Sequence, residues 1–138
     1  MEFTRRDTLA IGMGAVAITV LPFRVNAAAE EAISAFTGGA DIAETGVTLI
    51  APEIAENGNT VPIGVEAEGA VAIMVLAMGN PTPGVATFTF GELAGAHSAS
   101  TRIRLAGTQD LVAIAQMADG SFAKASSNVK VTIGGCGG

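Results

Sequence analysis

The sequence has no tryptophan and no tyrosine, and its 138 residues include one cysteine and one histidine. A single cysteine excludes a disulfide within the chain. So few sulfur and imidazole ligands also exclude a zinc site that needs several Cys or His side chains. A catalytic triad contained in this chain could use only His97. The length allows one folded domain and excludes a multidomain enzyme.

Basic residues are also scarce, because 7 lysines and arginines face 13 aspartates and glutamates and give a formal charge of -6. A protein that binds nucleic acid needs cations that neutralise phosphates, often interleaved with aromatic side chains. The sequence has neither pattern, so we expect no nucleic-acid partner.

The first 29 residues have the pattern of an export signal. Arg5 and Arg6 stand just before the uncharged, apolar run Leu9–Phe23, which is typical of a twin-arginine signal peptide. Ala27–Ala29 supplies an A-x-A cleavage site. The apolar run is shorter than the about 20 residues that span a bilayer, so we expect no stable membrane anchor. The sequence therefore predicts a signal over residues 1–29 and a periplasmic protein.

After residue 29 the pattern predicts one short helix followed by strands. Glu30–Phe36 has the acidic first turn of a helix and is followed closely by Gly38 and Gly39, which stop it. Later segments show either two-residue alternation or short apolar runs bounded by turn residues. These segments are 47–51, 61–67, 71–78, 85–90, 102–105, 111–117 and 128–133.

About seven short strands in about 100 residues are typical of an immunoglobulin-like sandwich. We therefore expect residues 30–133 to form an all-β, immunoglobulin-like antiparallel β-sandwich with a short N-terminal helix. The cysteine pair and the tryptophan of true immunoglobulin domains are missing, so only the architecture is predicted.

The run Val71–Met78 is apolar at every position, whereas a strand with one solvated face needs apolar residues only at alternate positions. Two interpretations are open. The run is either a central strand whose outer face is covered by a loop, or a surface that docks on another chain.

The most informative chemistry lies in residues 134–138, where the only cysteine, Cys136, is surrounded by glycines. Glycine has no Cβ and adopts both signs of φ, so we expect a slender, flexible arm. The arm glycines are Gly134, Gly135, Gly137 and Gly138. An exposed, unpaired thiol is at risk of oxidation in an oxidising compartment. Its presence at the end of the chain therefore favours a functional, reactive thiol. No adjacent histidine or helix N-terminus activates Cys136, so we interpret it as a passenger carried to catalysts.

Two other classes of function stay open. Cys136 could link a structural β-sandwich to a partner by an intermolecular disulfide. Alternatively, the chain could handle copper, which is selected by soft sulfur ligands. The candidate copper ligands are Met74, Met78, Met117, His97 and Cys136. Core packing explains methionines in so apolar a run better, so we expect no bound metal.

Three stretches of the sequence resemble the SoxY family, the sulfur-carrying subunits of the periplasmic thiosulfate-oxidising Sox system. They are Ala51–Gly58, Arg104–Asp110 and Val129–Gly138, the last of which contains the single cysteine between two pairs of glycines. The resemblance extends over the twin-arginine signal and essentially the whole chain after it.

The resemblance implies a carrier rather than an enzyme, with Cys136 as the covalent attachment site for sulfur intermediates and with no cofactor of its own. It also implies a heterodimer with SoxZ. In the family's scheme, the haem protein SoxAX couples thiosulfate oxidatively to the thiol as a cysteine S-thiosulfonate, and SoxB removes the terminal sulfonate as sulfate. Where present, a sulfane dehydrogenase oxidises the remaining persulfide sulfur.

Overall fold

The computed structural model describes residues 24–134, with side chains from Ala27 onward. One helix, α1 (Arg24–Thr37), precedes nine strands in this part of the chain. The strands are β1 (Ile42–Ala43), β2 (Thr48–Ile50), β3 (Ile54–Ala55), β4 (Val61–Glu66), β5 (Ala70–Ala77), β6 (Gly84–Thr89), β7 (Ser98–Ile103), β8 (Gln109–Met117) and β9 (Phe122–Val131).

The strands form two sheets that pack face to face. The larger sheet has the order β1-β9-β8-β5-β6, with β3 also paired to β9, and the smaller sheet has the order β2-β4-β7. The longer strands pair antiparallel, whereas β1 and β3 pair parallel with opposite ends of β9. The predicted all-β sandwich with one helix is confirmed, and each of the seven predicted strands overlaps one strand of the structure. The two unpredicted strands, β1 and β3, have two residues each, too few to show a period.

The core between the sheets follows from the two-residue alternation in the sequence. In β4, Val61, Ile63 and Val65 are buried, and the residues between them point away from the core. Strands of the larger sheet supply facing side chains such as Ile73 and Leu111. Burial of one such side chain stabilises the fold by roughly 1.5–3 kcal/mol, so this core is the main source of the sandwich's stability.

A second apolar cluster lies on the outer face of the larger sheet, under helix α1. Its side chains include Met74, Leu76, Met78, Ile114 and Phe122 from the sheet and Ala32, Ile33 and Phe36 from the helix. The rings of Phe36 and Phe122 meet edge to face, with centroids 5.9 Å apart. The run 71–78 is therefore apolar on both faces because a helix of the same chain covers it. The covering element is not the predicted loop, and the interpretation of this face as a docking surface for another chain is wrong.

Helix α1 begins six residues before the predicted start at Glu30, because Ala27–Ala29 are strong helix formers. It ends at Thr37, where Gly38 takes a left-handed φ of 65°. Ala29 is fully buried, so the predicted boundary after residue 29 falls inside the helix, and its position stays a prediction. Within residues 24–134, no helix has the length and apolar character needed to cross a membrane.

Truncation of Leu76 tests whether the helix covers this face in solution. Leu76→Ala removes a fully buried side chain beneath α1 and should lower the free energy of unfolding by about 2–5 kcal/mol. Val71 in the same strand is 37% exposed, so Val71→Ala is the matched control, with an expected loss under about 1 kcal/mol. Urea unfolding followed by circular dichroism measures both losses. Equal losses would contradict a covered face.

Candidate functional site

Of the residues predicted for the arm and the export signal, the structure describes Gly134, and it also describes the segments from which the arm starts. Cys136 lies outside the described residues, as do Gly135, Gly137, Gly138, Arg5 and Arg6. We call residues 130–134 the arm root. Two segments, 53–58 and 104–109, hold it.

Segment 53–58 holds one side of the arm root by main-chain hydrogen bonds. β9 ends two residues before the predicted end at Ile133, but the bonding continues past the strand. The Thr132 N–H donates to the Ala55 carbonyl (3.1 Å), and the Gly58 N–H donates to the Ile133 carbonyl (2.7 Å). The main chain is therefore held as far as Ile133, although the Ile133 side chain is 68% exposed.

Segment 104–109 holds the other side of the arm root. The Thr108 hydroxyl oxygen accepts a hydrogen bond from the Val131 N–H (3.0 Å). Gly134 packs so closely on this segment that a Cβ added to it would overlap the Ala106 carbonyl oxygen. Only glycine fits this approach, so Gly134 has a steric role in addition to the flexibility predicted for it.

A buried polar network fixes segment 104–109 from the side of the core. Asn80 is 2% exposed, and its Nδ2 donates to the Arg104 carbonyl (2.8 Å). Its Oδ1 accepts from the Ala106 N–H and from Gln109 Nε2, both at 2.9 Å. A buried amide left without such partners costs roughly 1–3 kcal/mol, so the network constrains the segment strongly. The sequence marks Asn80 only as a turn residue, and the network was not predicted.

The main chain of Gly58 connects the two supporting segments. Its N–H donates to the Ile133 carbonyl, and its own carbonyl accepts from the Leu105 N–H (2.8 Å). Leu105 is fully buried in the core between the sheets. The two stretches that resemble the SoxY family before the arm, Ala51–Gly58 and Arg104–Asp110, therefore contain the segments that hold the arm root.

The four candidate copper ligands within the described residues form no shared site. Met74 and Met78 pack in the cluster under the helix, whereas Met117 packs on the opposite face of the sheet. His97 donates from Nδ1 to the Ala70 carbonyl (2.6 Å). In the described part of the chain, no three His, Cys, Asp or Glu side chains form a group that could hold a metal ion.

Comparisons with known proteins also find similarity to SoxY proteins. The family model described as sulfur oxidation protein SoxY matches residues 33–136. The structure of the sulfur carrier protein SoxY from Chlorobium limicola f thiosulfatophilum is similar to this chain, with 37% sequence identity and a TM-score of 0.66. The similarity covers 76% of this chain and 96% of that chain.

More distant solved structures share the fold alone. A superoxide reductase (neelaredoxin) from Ignicoccus hospitalis is 15% identical with a TM-score of 0.56, over 63% of this chain and 80% of its own. A putative superoxide reductase from Thermotoga maritima is 16% identical with a TM-score of 0.51, over 70% of this chain and 89% of its own. None of the curated proteins compared with this chain matches it.

A single added methyl group tests the close packing of Gly134. Gly134→Ala should push the arm root away from Ala106 and so weaken the hydrogen bond between Gly58 and Ile133. Overpacking costs about 1–3 kcal/mol, so the Gly58 amide should exchange its hydrogen roughly 5 to 150 times faster. Gly107→Ala is the matched control, because nothing lies within 4 Å of a Cβ added there. Native-state hydrogen exchange measures both variants, and unchanged exchange in Gly134→Ala would contradict the close packing.

Proposed function

The chain belongs to the SoxY family of sulfur oxidation proteins, and we propose that it acts as a covalent sulfur carrier in thiosulfate oxidation. In this proposal, Cys136 holds sulfur intermediates as S-thiosulfonate and persulfide, and the arm presents them to partner Sox enzymes. The chain is then the substrate of those enzymes rather than an enzyme itself.

The observation that supports this proposal is the fixed arm root with the only cysteine just beyond it. The Ile133 carbonyl is hydrogen-bonded and Gly134 packs on Ala106, so the arm has a defined starting point. Cys136 is two residues further on, and two residues of extended chain span at most ~7 Å. An enzyme that acts on the thiol must therefore approach this end of the sandwich, and the glycines beside the thiol leave room for its active site.

The proposed chemistry needs an oxidant and a hydrolase that partner proteins supply. SoxAX joins the Cys136 sulfur to the sulfane sulfur of thiosulfate, and the thiol loses its proton while two electrons pass to the haem protein. SoxB then hydrolyses the bond between the sulfane sulfur and the sulfonate, with one water consumed and sulfate and a proton released. A persulfide remains on Cys136 and is, where a sulfane dehydrogenase is present, the next substrate.

The proposal also includes a partner and a compartment. We propose that the chain forms a heterodimer with SoxZ, contacts SoxAX and SoxB transiently, and reaches the periplasm through its twin-arginine signal. Arg5 and Arg6 support the export route, because paired arginines before an uncharged apolar run are the mark of that signal. A folded carrier is then delivered to the compartment in which thiosulfate is oxidised.

Replacement of Cys136 by serine should abolish the carrier function and leave the fold intact. A serine hydroxyl cannot form the sulfur–sulfur bond, so Cys136→Ser should reduce thiosulfate oxidation to background in a system reconstituted with SoxZ, SoxAX and SoxB. The matched control moves the thiol to the arm root in the double variant Ile133→Cys, Cys136→Ser, where residue 133 is exposed. This control should react with a small maleimide but should not be loaded with thiosulfate. Substantial turnover by either variant would contradict the assignment of Cys136.

Bulk beside the thiol should slow the partner enzymes selectively. Gly135→Val and Gly137→Val restrict the backbone and widen the arm, and a misplacement of about 1 Å at a reacting centre costs on the order of a hundredfold in rate. Stability should change by less than about 0.5 kcal/mol, as at ordinary exposed positions. The measurement compares the rate of alkylation by a small maleimide with the rate of SoxAX-catalysed loading. Gly91→Val, at an exposed glycine with open space around an added Cβ, should alter neither rate.

If the two arm variants slow alkylation and enzymatic loading equally and slightly, the glycines are only a flexible end. The carrier arm would then not need to enter confined active sites.

A further inference from the structure

Two arginines line a cavity at the start of segment 104–109, one of the two segments that hold the arm root. Arg102 and Arg104 both project outward, from the end of β7 and from the residues just after it. With Asn80, Thr82 and Gly84 they line a cavity of about 370 Å³. The site is open to solvent, since both arginines are exposed.

These arginines are unusual in so acidic a chain. Beyond residue 29 the sequence has four basic residues, Arg102, Arg104, Lys124 and Lys130, against eleven acidic ones. Lys124 forms a salt bridge with Glu44 at 3.0 Å, and no other ion pair occurs among the described residues. Two of the three remaining cations therefore line one cavity without a carboxylate partner in the described chain.

The cavity and the arm root are connected through segment 104–109. Asn80 lines the cavity, donates to the Arg104 carbonyl and accepts from the Ala106 N–H. Gly134 packs directly on the Ala106 carbonyl. Ala106 lies two residues from Arg104, and Cys136 lies two residues from Gly134, so each of these spans is at most ~7 Å. A group carried on Cys136 would therefore reach the cavity if residues 135 and 136 extend along segment 104–109.

We infer that Arg102 and Arg104 form an anion subsite that receives the sulfonate end of the sulfur group carried on Cys136. This inference rests on the proposed function, and it adds a binding site for the sulfonate on the carrier itself. A guanidinium presents a planar fork of N–H donors that suits the oxygens of an oxyanion. Contacts to exposed arginines are weak and are screened by salt, so the sulfonate is released when a partner enzyme binds the arm.

The direct test compares a charged with a neutral group on the same thiol of the full-length chain. Tetrathionate loads Cys136, because the thiolate attacks an inner sulfur, forms the S-thiosulfonate and releases thiosulfate. Methyl methanethiosulfonate forms a neutral S-methyl disulfide of similar length and releases methanesulfinate. In ¹H–¹⁵N spectra, the charged group should shift the side-chain Nε–H signals of Arg102 and Arg104, and the neutral group should not. Equal shifts with both groups, or no shift with the charged group, would overturn the inference.

Charge-removal variants locate the effect. In the double variant Arg102→Gln, Arg104→Gln, loading with the charged group should no longer shift the backbone amide signals of residues 104–107. Lys130→Gln is the matched control, because Lys130 lies on β9 opposite Ile54 and does not line the cavity. It should retain the shifts, and loss of the shifts in this control alone would overturn the inference.

A titration with free thiosulfate distinguishes a site for the sulfonate tethered to Cys136 from a site for an oxyanion in solution. When thiosulfate is titrated into Cys136→Ser, the arginine signals should shift only at concentrations in the millimolar range or above, because the tethered group has the advantage of a high effective concentration. Saturation by micromolar thiosulfate would instead indicate a site for free oxyanion and overturn the inference. Loading by tetrathionate needs only the thiol. A failure of SoxAX to load Cys136 would therefore count against the proposed function, whereas absent arginine shifts on a loaded chain count against the subsite.

Discussion

The close packing of Gly134 on the Ala106 carbonyl determines where the arm begins. Gly58 completes the arrangement, since its N–H holds the Ile133 carbonyl and its carbonyl holds the Leu105 N–H. One hydrogen bond of this kind contributes only about 0.5–1.5 kcal/mol net. Together with the Gly134 contact, the two Gly58 hydrogen bonds hold the arm root firmly, because Leu105 is buried in the core and the buried Asn80 fixes the segment around it. The end of the sandwich is thus a fixed base for the residues that follow.

Among residues 24–134, the side chains at this end of the molecule are mostly exposed. Helix α1 covers the outer face of the larger sheet, and the two sheets bury each other's inner faces. The described polar groups at and around the arm root include main-chain amides, the hydroxyls of Thr108 and Thr132, and the two arginines of the nearby cavity. Such groups can position an arm and attract an anion, which is what the proposed carrier function requires of the arm root.

Much of the fold could be predicted from the sequence, because alternation reports directly on a face buried in the core. Val61, Ile63 and Val65 are the plainest example. The cover of the run 71–78 could not be predicted, since an apolar face does not specify what packs on it. The start of the helix was misplaced, because Ala27–Ala29 suit both a cleavage site and a helix. At the site, the glycine arm was evident in the sequence, whereas the Asn80 network depends on contacts between residues 24 to 29 positions apart.

The covalent attachment of sulfur to Cys136 is the proposed property on which the other roles of the arm depend. Its most direct test is the intact mass of the protein isolated from cells that are oxidising thiosulfate, followed by mass analysis of the peptide that contains Cys136. We expect the peptide to gain the masses of sulfane sulfur and of a thiosulfonate group, and a thiol reductant to remove them. A peptide found only as free thiol, or joined by a disulfide to a second chain, would contradict it.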